Sequence, residues 1–475
     1  MNQFLSAVAG GWPVAAVLAF LALYPVVTAA LWVVTAWLYA RRRESNESDD
    51  AAFYDIPDRD LPRVSVLVPA YREQAGLEAT LAVLHDLDYP DYEVVVVDDG
   101  SPDGTADVAR RHVAVDPRFR LLRKVVNEGK AMAMNDALPL LTGEVVVVVD
   151  ADARLHPNAL RPIVAHFVRL PRVAGVTGNP RVANRTTLLA ELQTLEFTSI
   201  VSLLRRAQVV WGRVLTVSGV ISAFRVSALK DVGGFDPSMA TEDIDVTWRL
   251  QRRFYDIRYE PRALVDMTVP ASLGALWQQR RRWAVGLVQV LRRHRAVVMG
   301  WKTRRHWPVY AEACLSILWA HAFVTMVGFW LLCLAFDVPP PGASPFPNVW
   351  GMVVASACLL QLATGVALDA RYDPGVRKAF LLAPIYPLGY WLLMALVTLR
   401  STLPTLLRRQ PDVACWSTAR ESSHLSGLAT GRPGGATGSL LPVLPAGSIP
   451  TQPGPRTALP TLTVLPSWGQ PARLR

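Results

Sequence analysis

Cysteine is scarce in this sequence, with four residues in a chain of 475. Cys314, Cys333 and Cys358 lie inside long apolar runs, and Cys415 lies in the C-terminal tail. None of them shows the paired spacing of a zinc site or of a disulfide framework. The sequence therefore predicts no structural centre built on thiolates.

Two common nucleotide-binding motifs are also absent. No G-x-G-x-x-G follows the first predicted strand, residues 64–69, and no G-x-x-x-x-G-K-[ST] occurs anywhere in the chain. Because these glycine patterns shape the phosphate loops of dinucleotide-binding folds and P-loop NTPases, their absence disfavours both classes.

Charged residues are few, at 19% of the chain against 51% hydrophobic residues. The apolar excess is concentrated in four uncharged runs, each near the roughly 20 residues that a membrane-spanning helix needs. They occupy residues 13–40, 313–336, 347–368 and 379–399. This composition predicts an integral membrane protein with a large polar part.

The first apolar run ends in three arginines, Arg41, Arg42 and Arg43, and no small-residue cleavage site follows it. We therefore predict a retained anchor, residues 1–42, whose arginine end faces the cytoplasm. The expected location is the cell membrane, plasma or inner, with several crossings and with the large polar domain in the cytoplasm.

The last apolar run fits two topologies. A complete crossing would place the C-terminus outside, whereas Arg400, Arg408 and Arg409 favour the inside. If Pro384 and Pro387 break this run into an incomplete or re-entrant crossing, the C-terminus would lie inside, as these arginines favour.

The net charge of +10 does not indicate a nucleic-acid partner. Residues 280–305 contain nine Lys or Arg and no Asp or Glu, beside an apolar run, where basic groups face anionic headgroups. We expect amphipathic interface helices over residues 273–308 and a C-terminal transmembrane region over residues 309–402. Residues 410–475 are predicted to be a disordered tail.

Strands and helices alternate in the polar domain, residues 60–272. Strands are predicted at 64–69, 93–97, 120–126, 144–149, 173–176 and 257–259, and helical stretches at 74–87, 103–114, 130–140, 155–170 and 186–208. This pattern predicts a mostly parallel sheet buried on both faces, with ligands at the carboxyl ends of its strands.

Charged side chains follow three of these strands. Asp98 and Asp99 follow the second strand, Lys130 comes after the third, and Asp150 and Asp152 follow the fourth. Each motif alone is as easily a turn or a helix cap, but together they indicate a binding site. Carboxylates that face a nucleotide diphosphate need a cation between them, and Mg²⁺ fits that need.

The segment Thr241-Glu242-Asp243 places two carboxylates at a helix start, where the helix dipole favours their ionised form. A positioned carboxylate can deprotonate a sugar hydroxyl, so Asp243 is a candidate general base. The alternative is an ordinary helix start with Thr241 as N-cap.

A basic amphipathic helix around residues 276–287 carries Gln279, Arg282 and Trp283 close together. An arginine fork binds a diphosphate, and an indole stacks on a sugar ring. The other arginines of this helix are expected to face the membrane surface, and Glu196 is expected to be a surface residue.

In this order, the motifs resemble those of the processive membrane glycosyltransferases of family 2, which include cellulose, hyaluronan and poly-N-acetylglucosamine synthases. The resemblance covers roughly residues 63–293. It rests on Val68-Pro69-Ala70-Tyr71, Asp98-Asp99-Gly100-Ser101, Asn127-Glu128-Gly129-Lys130, Asp150-Ala151-Asp152, Thr241-Glu242-Asp243 and Gln279-Arg280-Arg281-Arg282-Trp283. Local similarity at residues 178–181, 196–200, 217–219, 241–245 and 276–280 is greatest to the bacterial poly-β-1,6-N-acetylglucosamine synthases.

The resemblance implies an α/β GT-A domain, a Rossmann-like mixed sheet, between N- and C-terminal transmembrane helices. It also implies an inverting transfer from a UDP-sugar. The roles it implies are Asp98 and Asp99 at the uridine, Lys130 on the nucleotide side, Asp150 and Asp152 at the sugar diphosphate and metal, Asp243 as base, and Glu242, Gln279, Arg282 and Trp283 at the acceptor and leaving diphosphate.

The expected product is a polymer of N-acetylglucosamine in β-1,6 linkage that passes through the membrane helices. A cellulose- or hyaluronan-type product, a single transfer to a lipid carrier, and a nucleotide-binding transporter or scaffold stay open as alternatives. The expected partners are a UDP-sugar, the growing polysaccharide, membrane lipid and a small accessory membrane subunit.

Overall fold

The valine-rich runs of the polar domain form the centre of a single large sheet. A computed structural model describes residues 2–44, 52–341 and 349–407, and the predicted disordered tail lies outside these ranges. The strands are β1 Val64–Ala70, β2 Tyr92–Asp98, β3 Phe119–Arg123, β4 Val145–Val149, β5 Ala153–Leu155, β6 Val173–Val182, β7 Ile221–Arg225 and β8 Asp256–Met267. Their order in the sheet is β3-β2-β1-β4-β7-β6-β8-β5.

The half of the sheet made of β1 to β4 is parallel, as predicted. Alternate valines of these strands pack into different cores on the two faces. Val94 and Val96 lie in one hydrophobic cluster, and Val95 and Val97 lie in the other. Continuous β-branched runs suit such strands because both faces are covered.

The other half of the sheet contains antiparallel pairs, so the sheet as a whole is mixed. β7 is antiparallel to β4 and β6, β5 is antiparallel to β8, and β6 is parallel to β8. A mixed Rossmann-like sheet was expected from the family resemblance, and it is confirmed.

Several predicted element bounds are wrong. The strand predicted at 120–126 ends at Arg123, and the helix predicted at 155–170 begins at Leu160, after a short strand and a single helical turn. The strand predicted at 257–259 continues to Met267 through Pro261. Proline is tolerated there because the pairing of β6 and β8 is irregular between Thr177 and Asn179, so no ladder bond is lost.

Helices cover both faces of the sheet and form both ends of the described chain. They are Asn2–Ala9, Trp12–Arg43, Leu77–Leu84, Thr105–Val115, Lys130–Ala137, Leu160–Arg169, Leu188–Glu196, Leu203–Trp211, Val226–Asp231, Glu242–Arg252, Leu273–Arg293, Trp307–Ala335, Val349–Asp369, Val376–Ala379 and Trp391–Leu407. The amphipathic stretch predicted at 186–208 contains a π-helical turn, Phe197–Ser202.

Three helical segments of the described chain are long and apolar enough to cross a membrane. They are Trp12–Arg43, Trp301–Ala335 and Val349–Asp369. The fourth apolar run is interrupted by a π-helical turn, Tyr386–Tyr390, before the shorter helix Trp391–Leu407. The break falls at the prolines that the sequence singles out, which supports an incomplete crossing.

A buried ion network joins the candidate membrane helices to the sheet domain. Arg206 donates to Glu44, just after the first membrane helix, at 2.7 Å and to Asp369, at the end of Val349–Asp369, at 2.8 Å. Arg181 of β6 donates to the same Asp369 at 2.9 Å. The predicted anchor, catalytic and transmembrane segments therefore form one compact unit.

Candidate active site

The carboxyl end of β2 carries Asp98 and Asp99 in different environments. Asp98 is fully buried and accepts a hydrogen bond from the backbone N–H of Ser101 at 3.0 Å. Asp99 accepts from the N–H of Gly129 at 2.7 Å, so it ties the loop before Lys130 to β2. Burial raises the pKa of the Asp99 carboxyl above its ordinary value.

A small pocket lies at this end of the parallel strands. It holds about 220 Å³ of empty space and is lined by Pro69, Ala70, Tyr71, Asp99, Lys130 and Ala133. Asp99 and Lys130, predicted to bind the nucleotide, therefore share one pocket. Asp98 does not line this pocket. It instead holds the loop that follows β2 through its hydrogen bond with Ser101.

Lys130 lies at the centre of the site. Its buried ammonium group donates to Asp150 at 2.5 Å and to the carbonyl oxygen of Gly219 at 3.0 Å, and lies 3.6 Å from Glu242. Burial alone would lower the pKa of Lys130, but the charges of Asp150 and Glu242 raise it. The ammonium group therefore stays charged and links the carboxyl end of β4 to the helix Glu242–Arg252.

Asp243 lies in the first turn of that helix, against the backbone of Gly219. A Cβ atom on Gly219 would lie 3.3 Å from Asp243 Oδ2 and 3.8 Å from Lys130 Nζ, so glycine permits this close approach. Burial, and then the charge of Glu242, raise the pKa of Asp243 to about 6, against the opposing charge of Lys130. A carboxylate whose pKa lies near the working pH is suited to general-base catalysis.

The alternative interpretation of the Thr241 segment, an ordinary helix start, is correct for the positions of these residues but not for the capping hydrogen bond. Thr241 occupies the N-cap position, but its side chain caps no backbone N–H of the helix. The sequence also predicted that the helix dipole favours the ionised form of these carboxylates. Burial and mutual repulsion outweigh it at Asp243, since the pKa rises.

The helix Leu273–Arg293 packs tightly on Thr241. A Cβ atom on Gly286 would lie 2.0 Å from Thr241 Oγ1, so the helix can approach Thr241 this closely only because residue 286 is glycine. This packing brings the Arg282 guanidinium near enough to lower the pKa of Asp243. Arg282 is exposed, and Gln279 is partly exposed, on the same helix.

Trp283 rests on a buried cluster that the sequence did not reveal. The Arg280 guanidinium lies 4.0 Å from the centroid of the Trp283 ring and is bonded to the carboxylate of Glu196. The Tyr390 hydroxyl donates to Glu196 at 2.7 Å. Arg280 and Glu196 are both buried, so their predicted surface positions are wrong. Arg280 lies four residues after buried Leu276 and three before Trp283, a spacing that places all three on one helix face.

A second residue missed by sequence reasoning is Arg205. Its side chain is buried, and its hydrogen bond to the Gly178 carbonyl oxygen is long, at 3.4 Å. Burial lowers the pKa of Arg205 to about 10, while the charges of Tyr259 and Asp243 raise it. It adds a positive group to the surroundings of Asp243.

The acidic pair Asp150 and Asp152 suits a divalent metal that arrives with a diphosphate. Asp150 is buried beside Lys130, and Asp152 is partly exposed two residues later. Within the described ranges, no group of three or more His, Cys, Asp or Glu residues is arranged to hold a metal alone. Mg²⁺-type ions are commonly held by one or two carboxylates plus substrate phosphates, so these residues fit that role.

The structure brings some of the predicted site residues together and leaves others apart. Lys130, Asp150, Glu242 and Asp243 converge directly, and Asp99 joins them through the shared pocket. Arg282 approaches from the helix Leu273–Arg293. Asp98 lies beneath the site, and Trp283 lies on the side nearest Tyr390.

Comparison with known proteins gives concordant matches. The family model described as "Glycosyltransferase like family 2" matches residues 62–286. The poly-beta-1,6-N-acetyl-D-glucosamine synthase of Staphylococcus epidermidis is 31% identical over 403 residues, covering 84% of this chain and 97% of that protein. The enzyme of the same name from Staphylococcus aureus strain COL is 32% identical over 403 residues, with the same coverage.

A solved structure also matches. The mannosyltransferase PcManGT from Pyrobaculum calidifontis, in complex with GDP-Man and Mn²⁺, is 26% identical with a TM-score of 0.52. The match covers 80% of this chain and 99% of that one.

Proposed function

This chain belongs to the family 2 glycosyltransferases, and we propose that it polymerises N-acetylglucosamine in β-1,6 linkage, with UDP-N-acetylglucosamine as the donor. The observation that carries the proposal is the convergence of Asp243, Glu242, Lys130 and Asp150 in a chain that matches the staphylococcal synthases over nearly their whole length. The sugar and linkage are taken from the names of those relatives, whereas glycosyl transfer follows from the family.

The proposed chemistry is a single inverting displacement. Asp243 accepts the proton of an acceptor hydroxyl while the hydroxyl oxygen forms a bond to the anomeric carbon of the donor. The bond from that carbon to the diphosphate oxygen breaks, and UDP leaves with its electron pair. A base whose pKa is about 6 is mostly ionised at neutral pH and can still hold the proton that it receives.

Positive charge is available close to the reacting groups. The Lys130 ammonium group lies in the nucleotide pocket, and Arg282 is in electrostatic reach of the reacting base. Preorganised cations of this kind stabilise the charge that develops on a leaving diphosphate. A divalent metal held by Asp150 and Asp152 would add to that stabilisation when bound.

The acceptor is proposed to lie over Trp283. This ring packs against Arg280 at 4.0 Å and lies at 6.4 Å from Phe197, so its orientation is fixed by buried neighbours. The cluster beneath it includes Tyr390, just before the last apolar helix. An acceptor on Trp283 would therefore be beside the membrane segments through which a growing chain is proposed to leave.

The proposed setting is the cell membrane, with the sheet domain in the cytoplasm. Three helical segments of spanning length support membrane insertion. Arg41, Arg42 and Arg43 at the end of the first helix support the orientation. A small accessory membrane subunit stays a prediction.

The decisive experiment offers purified membranes a panel of UDP-sugars and sizes any product. We expect long chains from UDP-N-acetylglucosamine alone, cleaved by a β-1,6-specific N-acetylglucosaminidase and resistant to cellulase and hyaluronidase. A single sugar on a lipid would instead show a non-processive enzyme, and chains from another donor would replace the sugar assignment.

Removal of divalent metal provides a separate test of Asp150 and Asp152. We expect EDTA to abolish transfer and Mn²⁺ or Mg²⁺ to restore it. Asp152→Asn should raise the metal concentration needed for half-maximal rate by about tenfold or more. Full turnover in EDTA would contradict the metal role of this pair.

A further inference from the structure

A second cavity, below the sheet residues Arg258 and Tyr259 of β8, shares no lining residue with the candidate active-site pocket. It holds about 390 Å³ of empty space, and Tyr39, Arg43, Tyr54, Arg258 and Tyr259 contribute to its walls. We call it the basal cavity.

Two guanidinium groups give the basal cavity its charge. Within the described ranges, neither Arg43 nor Arg258 forms an ion pair, and the Nε atom of Arg258 is buried with no hydrogen-bond partner. Arg206, by contrast, is neutralised by Glu44 and Asp369. A buried donor without an acceptor is costly, so the Arg258 guanidinium favours an anionic ligand.

Glu260, two residues after Arg258 on β8, is already engaged. Glu260 accepts a hydrogen bond from the Tyr54 hydroxyl at 2.6 Å, and its Oε2 lies 2.9 Å from His166 Nε2. Glu260 is also buried, with 1% exposure. It therefore does not neutralise the arginines of the basal cavity.

The basal cavity lies at the end of a membrane helix. Tyr39 belongs to the helix Trp12–Arg43, and its hydroxyl donates to the Tyr259 carbonyl oxygen at 2.8 Å. Arg41, Arg42 and Arg43 close that helix. Tyrosines and arginines at a helix end are typical of the headgroup layer of the cytoplasmic leaflet.

We propose that the basal cavity binds the phosphate of an anionic phospholipid headgroup. Arginine forks match phosphate oxygens, and the tyrosine walls suit the boundary between headgroups and acyl chains. An anionic leaflet also concentrates such lipids beside a basic helix end. The site is separate from catalysis and does not depend on the identity of the sugar.

The test uses the full-length protein in a non-ionic detergent, titrated with short-chain phosphatidylglycerol while Tm is measured. We expect a saturable rise in Tm, because a ligand that binds only the folded state stabilises it by mass action. Short-chain phosphatidylcholine should leave Tm unchanged over the same concentrations. Glycerol phosphate and inorganic phosphate should bind much more weakly, because they lack acyl chains. An equal response to any of these three contradicts a lipid headgroup site.

Two neighbouring arginines provide a matched pair of variants. Arg42 and Arg43 are both exposed at the end of one helix, and only Arg43 lines the basal cavity. We expect the apparent Kd for phosphatidylglycerol to rise about tenfold in Arg43→Gln, and to be unchanged in Arg42→Gln. Equal losses in both variants would show a diffuse basic surface and would overturn the proposal.

Arg258→Gln is the second variant, and its expected effect is also a rise of about tenfold in the apparent Kd. Its Tm without lipid shows whether it folds. If it does not fold, the comparison of Arg43→Gln with Arg42→Gln decides the outcome alone. Lipid binding is measured without a donor sugar, so failure of this proposal and failure of the proposed polymerase activity are distinguishable.

Discussion

At the residue scale, the candidate active site is a set of buried charges that depend on one another. Lys130 lies between Asp150 and Glu242, and its charge opposes the rise in the pKa of Asp243. Removing any one of these groups alters the ionisation of the others. Substitutions that keep the shape of a side chain and remove its charge therefore test the role of a single group best.

Asp243→Asn should abolish polymerisation while the protein remains folded. The amide has the shape of the carboxylate but cannot accept the proton, and a general base contributes about a hundredfold or more. The initial rate at saturating donor gives the loss. Unchanged Tm and unchanged affinity for UDP are the controls, and a rate near that of the wild type would remove Asp243 from this role.

The pH dependence of kcat should report the same group. Burial and Glu242 raise the pKa of Asp243 to about 6, and only the ionised form accepts a proton, so kcat should fall as pH drops through that value. One pH unit lower, about one tenth of the plateau rate should remain. A profile measured at constant ionic strength checks this. An acid limb centred near the ordinary aspartate pKa, about 4, would contradict it.

The sequence predicted the residues of this charge cluster because short motifs at strand ends have nearly fixed geometry. Asp150, Lys130 and Asp243 were singled out together, and they lie together. Arg280 and Glu196 could not be paired in this way. They are separated by 84 positions, and only the packing of two helices brings them into contact.

At the element scale, the fit of the helix Leu273–Arg293 against Thr241 positions Arg282. Gly286→Ala should lower Tm and reduce the rate of transfer, because its Cβ atom would lie 2.0 Å from Thr241 Oγ1. Overpacking of this kind costs about 1–3 kcal/mol. Thermal unfolding and initial rates measured on the same preparation separate the two effects.

Gly274 provides the control on the same helix. A Cβ atom there would meet nothing within 4 Å, so Gly274→Ala should be neutral or should stabilise the helix by up to about 1 kcal/mol. If Gly286→Ala and Gly274→Ala have equal effects, the contact with Thr241 is not the reason why position 286 requires glycine.

The bounds of the strands were less predictable than their existence. β1, β2 and β4 were recognised because buried parallel strands are continuously apolar. The three-residue strand β5 forms only because β8 lies beside it, from Ala153 opposite Met267 to Leu155 opposite Val265. The bounds of such short strands depend on their pairing partners, which no local sequence pattern specifies.

At the scale of the whole molecule, Asp369 joins a membrane helix to the sheet domain. Asp369→Ala should cost about 3–5 kcal/mol, because it leaves the buried Arg181 and Arg206 without a shared partner. Asp373→Ala should cost less, since its pair with Arg185 is partly exposed. Thermal unfolding in one detergent compares the two variants. Equal losses would show that burial of the network does not matter.

The positions of the membrane segments were predictable from composition, but their attachment to the sheet domain was not. Long apolar runs identify spanning helices at once. The attachment depends on single polar residues such as Glu44 and Asp369, which no sequence pattern connects. Contacts between distant charges emerge only from the fold.

The interrupted fourth apolar run has a consequence for the acceptor. The Tyr390 hydroxyl lies 3.1 Å from a guanidinium nitrogen of Arg280, and that guanidinium supports the indole of Trp283. A tilt of the interrupted segment, such as a thinner bilayer would impose, is therefore transmitted to the ring within two contacts. Acyl-chain length in the host membrane would then influence how fast the enzyme adds each sugar.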